Sequence, residues 1–318
     1  MSAAISPTST SPGTGHAART DRLTWGLAVA NLVAQVGIIA TGGAVRLTGS
    51  GLGCSQWPMC EPGSFTPEFQ AETSLHSLIE FGNRTLTGVL GIIALALVWA
   101  VYRREPTASR PASLRRLVWL PLVGIAVQAV VGGITVWVDL HPAIVGSHML
   151  ISLALVAVSA YLLVRLRAGD APPRPVVERR VRLVGAALAV VGVVLLVLGV
   201  ITTGAGPHSG DADEPYRWAL DPAFISRLHA LAVWAFVALV LVGLALVRSV
   251  PAARRAWLVL LAVTALQGAI GYVQYFTGLP ELLVGIHMVG SGLLVIALVY
   301  ALASLVTRED EPAAAPTA

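Results

Sequence analysis

Four histidines, one glutamate set inside an apolar run and one pair of cysteines are the side chains of this sequence best suited to chemistry. His76, His148, His229 and His287 each stand near one end of a long apolar stretch, whereas His141 and His208 fall between such stretches and His16 lies in a polar N-terminal segment. Imidazole ligates metals or moves protons near neutral pH. Glu80 belongs to "HSLIEFGNRTLTG" (residues 76–88), which also carries Asn83 and Arg84. A carboxylate inside a membrane segment is costly and by default marks function. The plainer reading is a pair with Arg84 one helical turn away. Cys54 and Cys60 lie in "TGSGLGCSQWPMC". In a free loop on an oxidising side so close a pair forms a disulfide. That bridge either braces the loop or, being exposed and closing a small ring, exchanges with other thiols.

The elements that position these residues are apolar helices. The chain has 318 residues, is 56% hydrophobic and only 12% charged, and its mean hydropathy is +0.77. Soluble domains carry about 25% charged residues, and the apolar runs recur at the ~20 residues a bilayer crossing needs. Eight spans are expected, near 23–45, 75–101, 114–138, 143–166, 181–203, 224–247, 255–277 and 284–306. The first is too long for a signal-peptide core and is read as an uncleaved helix. Every basic residue is Arg. The net charge of +4 reflects loop topology and excludes nucleic acid as the partner; the partner surface is membrane lipid. Loops holding Arg103, Arg104, Arg110, Arg115 and Arg116, then Arg165 to Arg182, then Arg248, Arg254 and Arg255 are cytoplasmic by the positive-inside rule. Loops holding Asp139, then Asp211, Asp213, Glu214 and Asp221, then Glu281 face outward. Both termini are therefore cytoplasmic, with disordered tails at 1–22 and 307–318.

A shift of 139 residues superposes the third and fourth spans on the seventh and eighth. Gln128, Gly132, Gly146, His148, Met149 and Ser152 meet Gln267, Gly271, Gly285, His287, Met288 and Ser291, so "VGSHMLIS" and "VGIHMVGS" are one motif written twice. The fold class is an all-α integral membrane protein: eight transmembrane helices as two duplicated four-helix bundles, 23–167 and 181–306, joined by a linker at 168–180. The even number of spans between repeats makes them parallel, unlike inverted-repeat transporters.

A lone histidine in a membrane helix can serve only as a helix–helix hydrogen bond. The set, at one depth in inward-running helices, suits haem: two facing imidazoles supply the axial nitrogens and the bundle supplies a flat apolar slot. Zinc lacks its third and fourth ligands at the usual spacing. His229 and His287 form a pair in the second half. In the first half His148 has Asn83 where the partner of His229 would stand, and Asn is a poor iron ligand.

The glycine-rich cysteine loop, Glu80, and His148, His229 and His287 together resemble the haem A synthase family, over essentially all of the membrane region. The resemblance implies oxidation of the C8 methyl of haem O to a formyl, giving haem A for terminal oxidase assembly in a bacterial-type cell membrane. It implies a haem b held by His229 and His287, substrate haem O received by the first bundle at His148, Glu80 as the catalytic residue, and a Cys54–Cys60 disulfide on the outer side. Glu80 would stabilise positive charge developing at the methyl, or position water and accept its proton. Arg84 would hold a haem propionate or tune Glu80. Many family members carry Glu-x-x-His-Arg in the second helix; here it reads "EFGNR", with Asn83 in place of the histidine. His148 then binds the substrate alone, or His76 substitutes, sitting on the face of Glu80 and Asn83 but about 10 Å nearer the outer surface. An electron-transfer partner, haem O synthase or oxidase assembly factors, and a homo-oligomer are the partners consistent with this resemblance. A di-haem b-type electron-transfer protein and a non-enzymatic haem transporter or chaperone are the alternatives.

Overall fold

The computed structural model describes residues 20–67, 75–211 and 216–309. His16, Asp213, Glu214 and most of both tails lie outside the described residues. Eight helices long and apolar enough to cross a membrane are present: α1 (Arg22–Leu47), α2 (Leu75–Arg103), α3 (Ala112–Trp137), α4 (Pro142–Arg167), α5 (Arg179–Ala205), α6 (Pro222–Leu246), α7 (Pro251–Phe276) and α8 (Glu281–Ala303). α3 breaks for one residue at Val118. Local chemistry sets several starts. The Asp21 carboxylate accepts from the Leu23 and Thr24 amides at the head of α1, and Asp221 accepts from Ala223 at the head of α6. Pro occupies the first turn of α4, α6 and α7, where its missing amide costs nothing.

Within the first half α1 packs on α2, α2 on α3, α3 on α4 and α4 back on α1; the second half closes in the same chain order, α5 to α8. The halves meet along α1–α8, α4–α8 and α4–α5. One apolar cluster, including Leu97, Val156, Leu162 and Leu166, fills the first half. Another, including Leu188, Phe236, Trp257 and Leu260, fills the second.

The repeat is written in the backbone as well as in the side chains. Asp139 and Leu140 both have positive φ (49° and 56°), and so do Gly278 and Leu279, 139 residues on (80° and 60°). In each turn the second residue's amide returns to an equivalent carbonyl, Leu140 to Thr135 at 2.9 Å and Leu279 to Gln274 at 2.7 Å. These are helix C-caps in the left-handed conformation.

At the arginine-rich end the loops are fastened rather than free. Arg110 is buried, pairs with Asp170 at 2.8 Å and donates to the carbonyls of Leu166 and Ala168 at the end of α4. Arg174–Pro175 of the linker pairs antiparallel with Val306–Thr307, so the chain leaves α8 into a short strand where a tail from 307 is expected from sequence.

Gly243 on α6 lies against the fully buried indole of Trp257, whose Nε1 donates to Ala301 O at 3.1 Å. A β-carbon at 243 would overlap that ring. Gly243→Ala is therefore expected to destabilise by about 1–3 kcal/mol through overpacking, read as a lower thermal midpoint in detergent; an unchanged midpoint would show that α6 and α7 separate freely.

Candidate functional site

The residues singled out from the sequence converge at the end of the molecule that carries the cysteine loop. Glu80 is the sixth residue of α2, His148 and His287 are the seventh of α4 and α8, and His229 is the eighth of α6. At a rise of 1.5 Å per residue all four sit about 8–10 Å in from that end.

His148, His229 and His287 line one cavity of about 810 Å³ that runs between the two halves. Each ring lies over a glycine of the preceding helix: a β-carbon placed at Gly132, Gly271 or Gly199 would come within 3.4, 3.3 or 3.1 Å of the ring of His148, His287 or His229 respectively. His229 Nδ1 lies 3.1 Å from the carbonyl of Leu195. A carbonyl only accepts, so Nδ1 carries the proton and Nε2 is left with its lone pair, the form that ligates a metal. The Nδ1 atoms of His148 and His287 are buried without a hydrogen-bond partner. Around His148, Gln128 Nε2 donates to the His148 carbonyl (3.0 Å) and to Ser152 Oγ (2.5 Å).

A smaller cavity of about 360 Å³ adjoins it, lined by Glu80, Arg84 and Trp57 and sharing Asn83, His148, Gln128 and Arg46 with the larger one. Asn83 Oδ1 accepts from Thr41 Oγ1 at 2.7 Å. Glu80 is 5% exposed and fully engaged. One carboxylate oxygen is paired with Arg84, and the other accepts the Cys54 amide at 2.6 Å. Arg84 also donates to the carbonyls of Gln56 (2.8 Å) and Met59 (3.1 Å). Of the two readings of Arg84 this geometry favours tuning Glu80, because the guanidinium is already spent on the carboxylate and the loop.

Two sequence expectations are corrected. The cysteine loop is not free and its bridge is not exposed: Cys54 and Cys60 are joined, with Cα atoms 4.4 Å apart, and both are 0% exposed. The loop folds down into the bundle. Trp57 rests on Gly133 and meets Trp137 edge-on at 5.5 Å, and Gly53 abuts the first turn of α2, where any β-carbon would strike the His76 carbonyl. His76, in turn, is exposed, hydrogen-bonded to Ser50 Oγ at 2.8 Å, and lines neither cavity. The rise that places it about 10 Å from Asn83 takes it out of the chamber and into contact with the loop.

The bridge's burial carries a prediction. A membrane-impermeant phosphine should leave Cys54–Cys60 oxidised in folded protein and reduce it after denaturation, followed by mass shift on alkylation. Rapid reduction of the folded protein would contradict the packing.

Two participants escaped the sequence reading. Trp57 carries no periodic signal that reports its insertion. Arg46 did carry one: it is an arginine at the end of α1 on the side whose loops are acidic, against the charge rule used to orient the spans.

Fold and site thus define a multi-pass, all-helical membrane protein with a histidine-lined interior. The family model described as Cytochrome oxidase assembly protein matches residues 24–221, more than half of the sequence, and the chain belongs to that family. That match ends before α6, so His229 and His287 lie beyond it. Among curated relatives, the chain is 36% identical over 118 residues to the heme A synthase of Bacillus pumilus, covering 36% of each chain. It is 29% identical over 148 residues to that of an Exiguobacterium species, covering 46% of each. It is 30% identical over 129 residues to that of Bacillus licheniformis, covering 40% of each. The chain spans about two fifths of the length of the curated relatives it matches.

Proposed function

We propose that this protein is a haem A synthase, oxidising the C8 methyl of haem O to a formyl for terminal oxidase assembly. The observation that carries the reading is the adjoining pair of chambers: Glu80 and Arg84 on the smaller, His229 and His287 on the larger, with Asn83 and His148 lining both. The names of the relatives point the same way.

The residues fit porphyrins. The larger cavity lies within the ~300–1,000 Å³ usual for cofactor sites, its imidazoles stand over glycines, and two of them hold buried, unpartnered Nδ1 atoms. In this reading His229 and His287 would hold a resident haem b, which when bound would supply one-electron transfer. The first bundle, 23–167, receives haem O with His148 as its ligand. Asn83 leaves the opposite face without an imidazole, open to oxidative chemistry. Glu80 is held by Arg84 and the Cys54 amide, so its negative charge is fixed at the chamber wall. A fixed carboxylate stabilises positive charge developing at the methyl, or orients water and takes its proton, with little reorganisation. The arginine distribution supports cytoplasmic termini and an outer cysteine loop, and the resemblance implies a bacterial-type cell membrane. Haem O and haem A are the substrate and product in this role, and an electron-transfer partner, with haem O synthase or oxidase assembly factors, is consistent with it.

Co-expression with a source of haem O, scored for haem A by chromatography, tests the reading: haem A should accumulate with the wild-type chain. Haem B alone on the purified protein, with no haem A formed, would instead mark an electron-transfer cytochrome.

A further inference from the structure

Among the described residues, no carboxylate forms an ion pair with Arg46. It is the penultimate residue of α1 and lines both cavities. One guanidinium nitrogen donates to the carbonyl of Thr203 on α5 at 2.9 Å, while Nε is buried with no partner. Among the described residues, the ion pairs join Arg84 to Glu80, Arg104 to Asp21 and Arg110 to Asp170; none includes Arg46. Burying a charge without a counter-charge is expensive, and proteins keep such groups where a ligand supplies the opposite sign.

Its place in the fold indicates which ligand. Arg46 lies at the loop end of the chambers, about one to two helical turns nearer that end than the level of the histidines. A flat ligand held at the histidine level with an acidic edge toward the loop end would bring that edge to Arg46. The unspent Nε–H beside a terminal nitrogen is one side of the guanidinium fork that accepts a carboxylate through two parallel hydrogen bonds.

We infer that Arg46 is the anion anchor of the chambers, taking a side-chain carboxylate of the bound porphyrin. This rests on the porphyrin reading above and adds to it a residue that selects the acid form of the ligand. Arg84 does not compete for the role, since Glu80 and the loop carbonyls occupy it.

The test is a titration of full-length protein, purified from haem-depleted cells, with haem B and with its dimethyl ester, followed by absorbance. The wild type should bind the free acid at least tenfold more tightly than the ester. Arg46→Gln should bind the two within about twofold of each other, and Arg46→Lys should keep part of the preference, since it retains charge but not the fork. Thermal midpoints without ligand report folding of each variant. Should Arg46→Gln not fold, Arg46→Lys and the wild-type comparison still decide. Equal binding of acid and ester by the wild type, or an undiminished preference in Arg46→Gln, overturns the anchor while leaving the porphyrin reading standing. No binding of either porphyrin by the wild type overturns the porphyrin reading and the anchor with it.

Discussion

Glu80→Ala is expected to lower haem A output by about a hundredfold or more in cells supplied with haem O, the scale of loss for a group that moves a proton or meets developing charge. Glu80→Gln is the sharper variant. It keeps the shape and can still accept the Cys54 amide, but it gives up the charge that faces the chamber and pairs with Arg84. If charge is what matters, Gln should fall nearly as far as Ala. A structural role alone would leave Gln close to wild type, because the loop would remain seated. Haem content and thermal midpoint measured on the same preparations separate the two. The expected pattern is activity lost with haem content and melting nearly unchanged in Gln, and both somewhat reduced in Ala. Full activity in Glu80→Ala would remove Glu80 from the chemistry.

The second large effect is on the second half. If His229 and His287 hold a haem b as proposed, either His229→Ala or His287→Ala should strip most of it from the purified protein and turn any remainder from low-spin to high-spin. The reason is geometric. His229 Nδ1 is tied to Leu195 O, which leaves its Nε2 lone pair free to ligate, and His287 lines the same cavity. His148→Ala, in the other half, should leave that low-spin signal in place. Pyridine haemochrome content and paramagnetic resonance check both statements. Low-spin haem surviving in the His287 variant would exclude it as a ligand.

Much of this arrangement was legible because a membrane imposes it. An apolar run near twenty residues long declares a span whatever its neighbours do, and all eight spans are helical in the structure. The repeat was legible because a matched Gln, His, Met and Ser together with two Gly at one fixed offset is hard to obtain by chance, and the paired left-handed turns add a second trace of it. His148, His229 and His287 could be grouped from their common depth. The cysteine loop was misjudged for the opposite reason. Its burial depends on contacts between residues far apart in sequence, Trp57 on Gly133 and Arg84 on the Gln56 and Met59 carbonyls, and no local pattern encodes them. His76 shows that sharing a helical face with Glu80 and Asn83 does not suffice for lining a chamber: a residue in the first turn of α2 can belong to the loop instead. Arg46 broke the charge rule in plain sight, and an exception to a strong rule is itself a signal.

The burial of the disulfide also constrains how the molecule matures. Sulfur atoms with no exposed surface cannot be reached by an oxidant once Trp57 is seated and the Cys54 amide has closed on Glu80. Oxidation must therefore precede the final docking of the loop or accompany it. A newly inserted chain has a short interval in which to meet the thiol-oxidising apparatus, and one that misses it would seal two thiols beneath the loop or leave the loop unseated. Supply of oxidant during biogenesis, rather than redox conditions around the finished protein, then sets the yield of competent molecules.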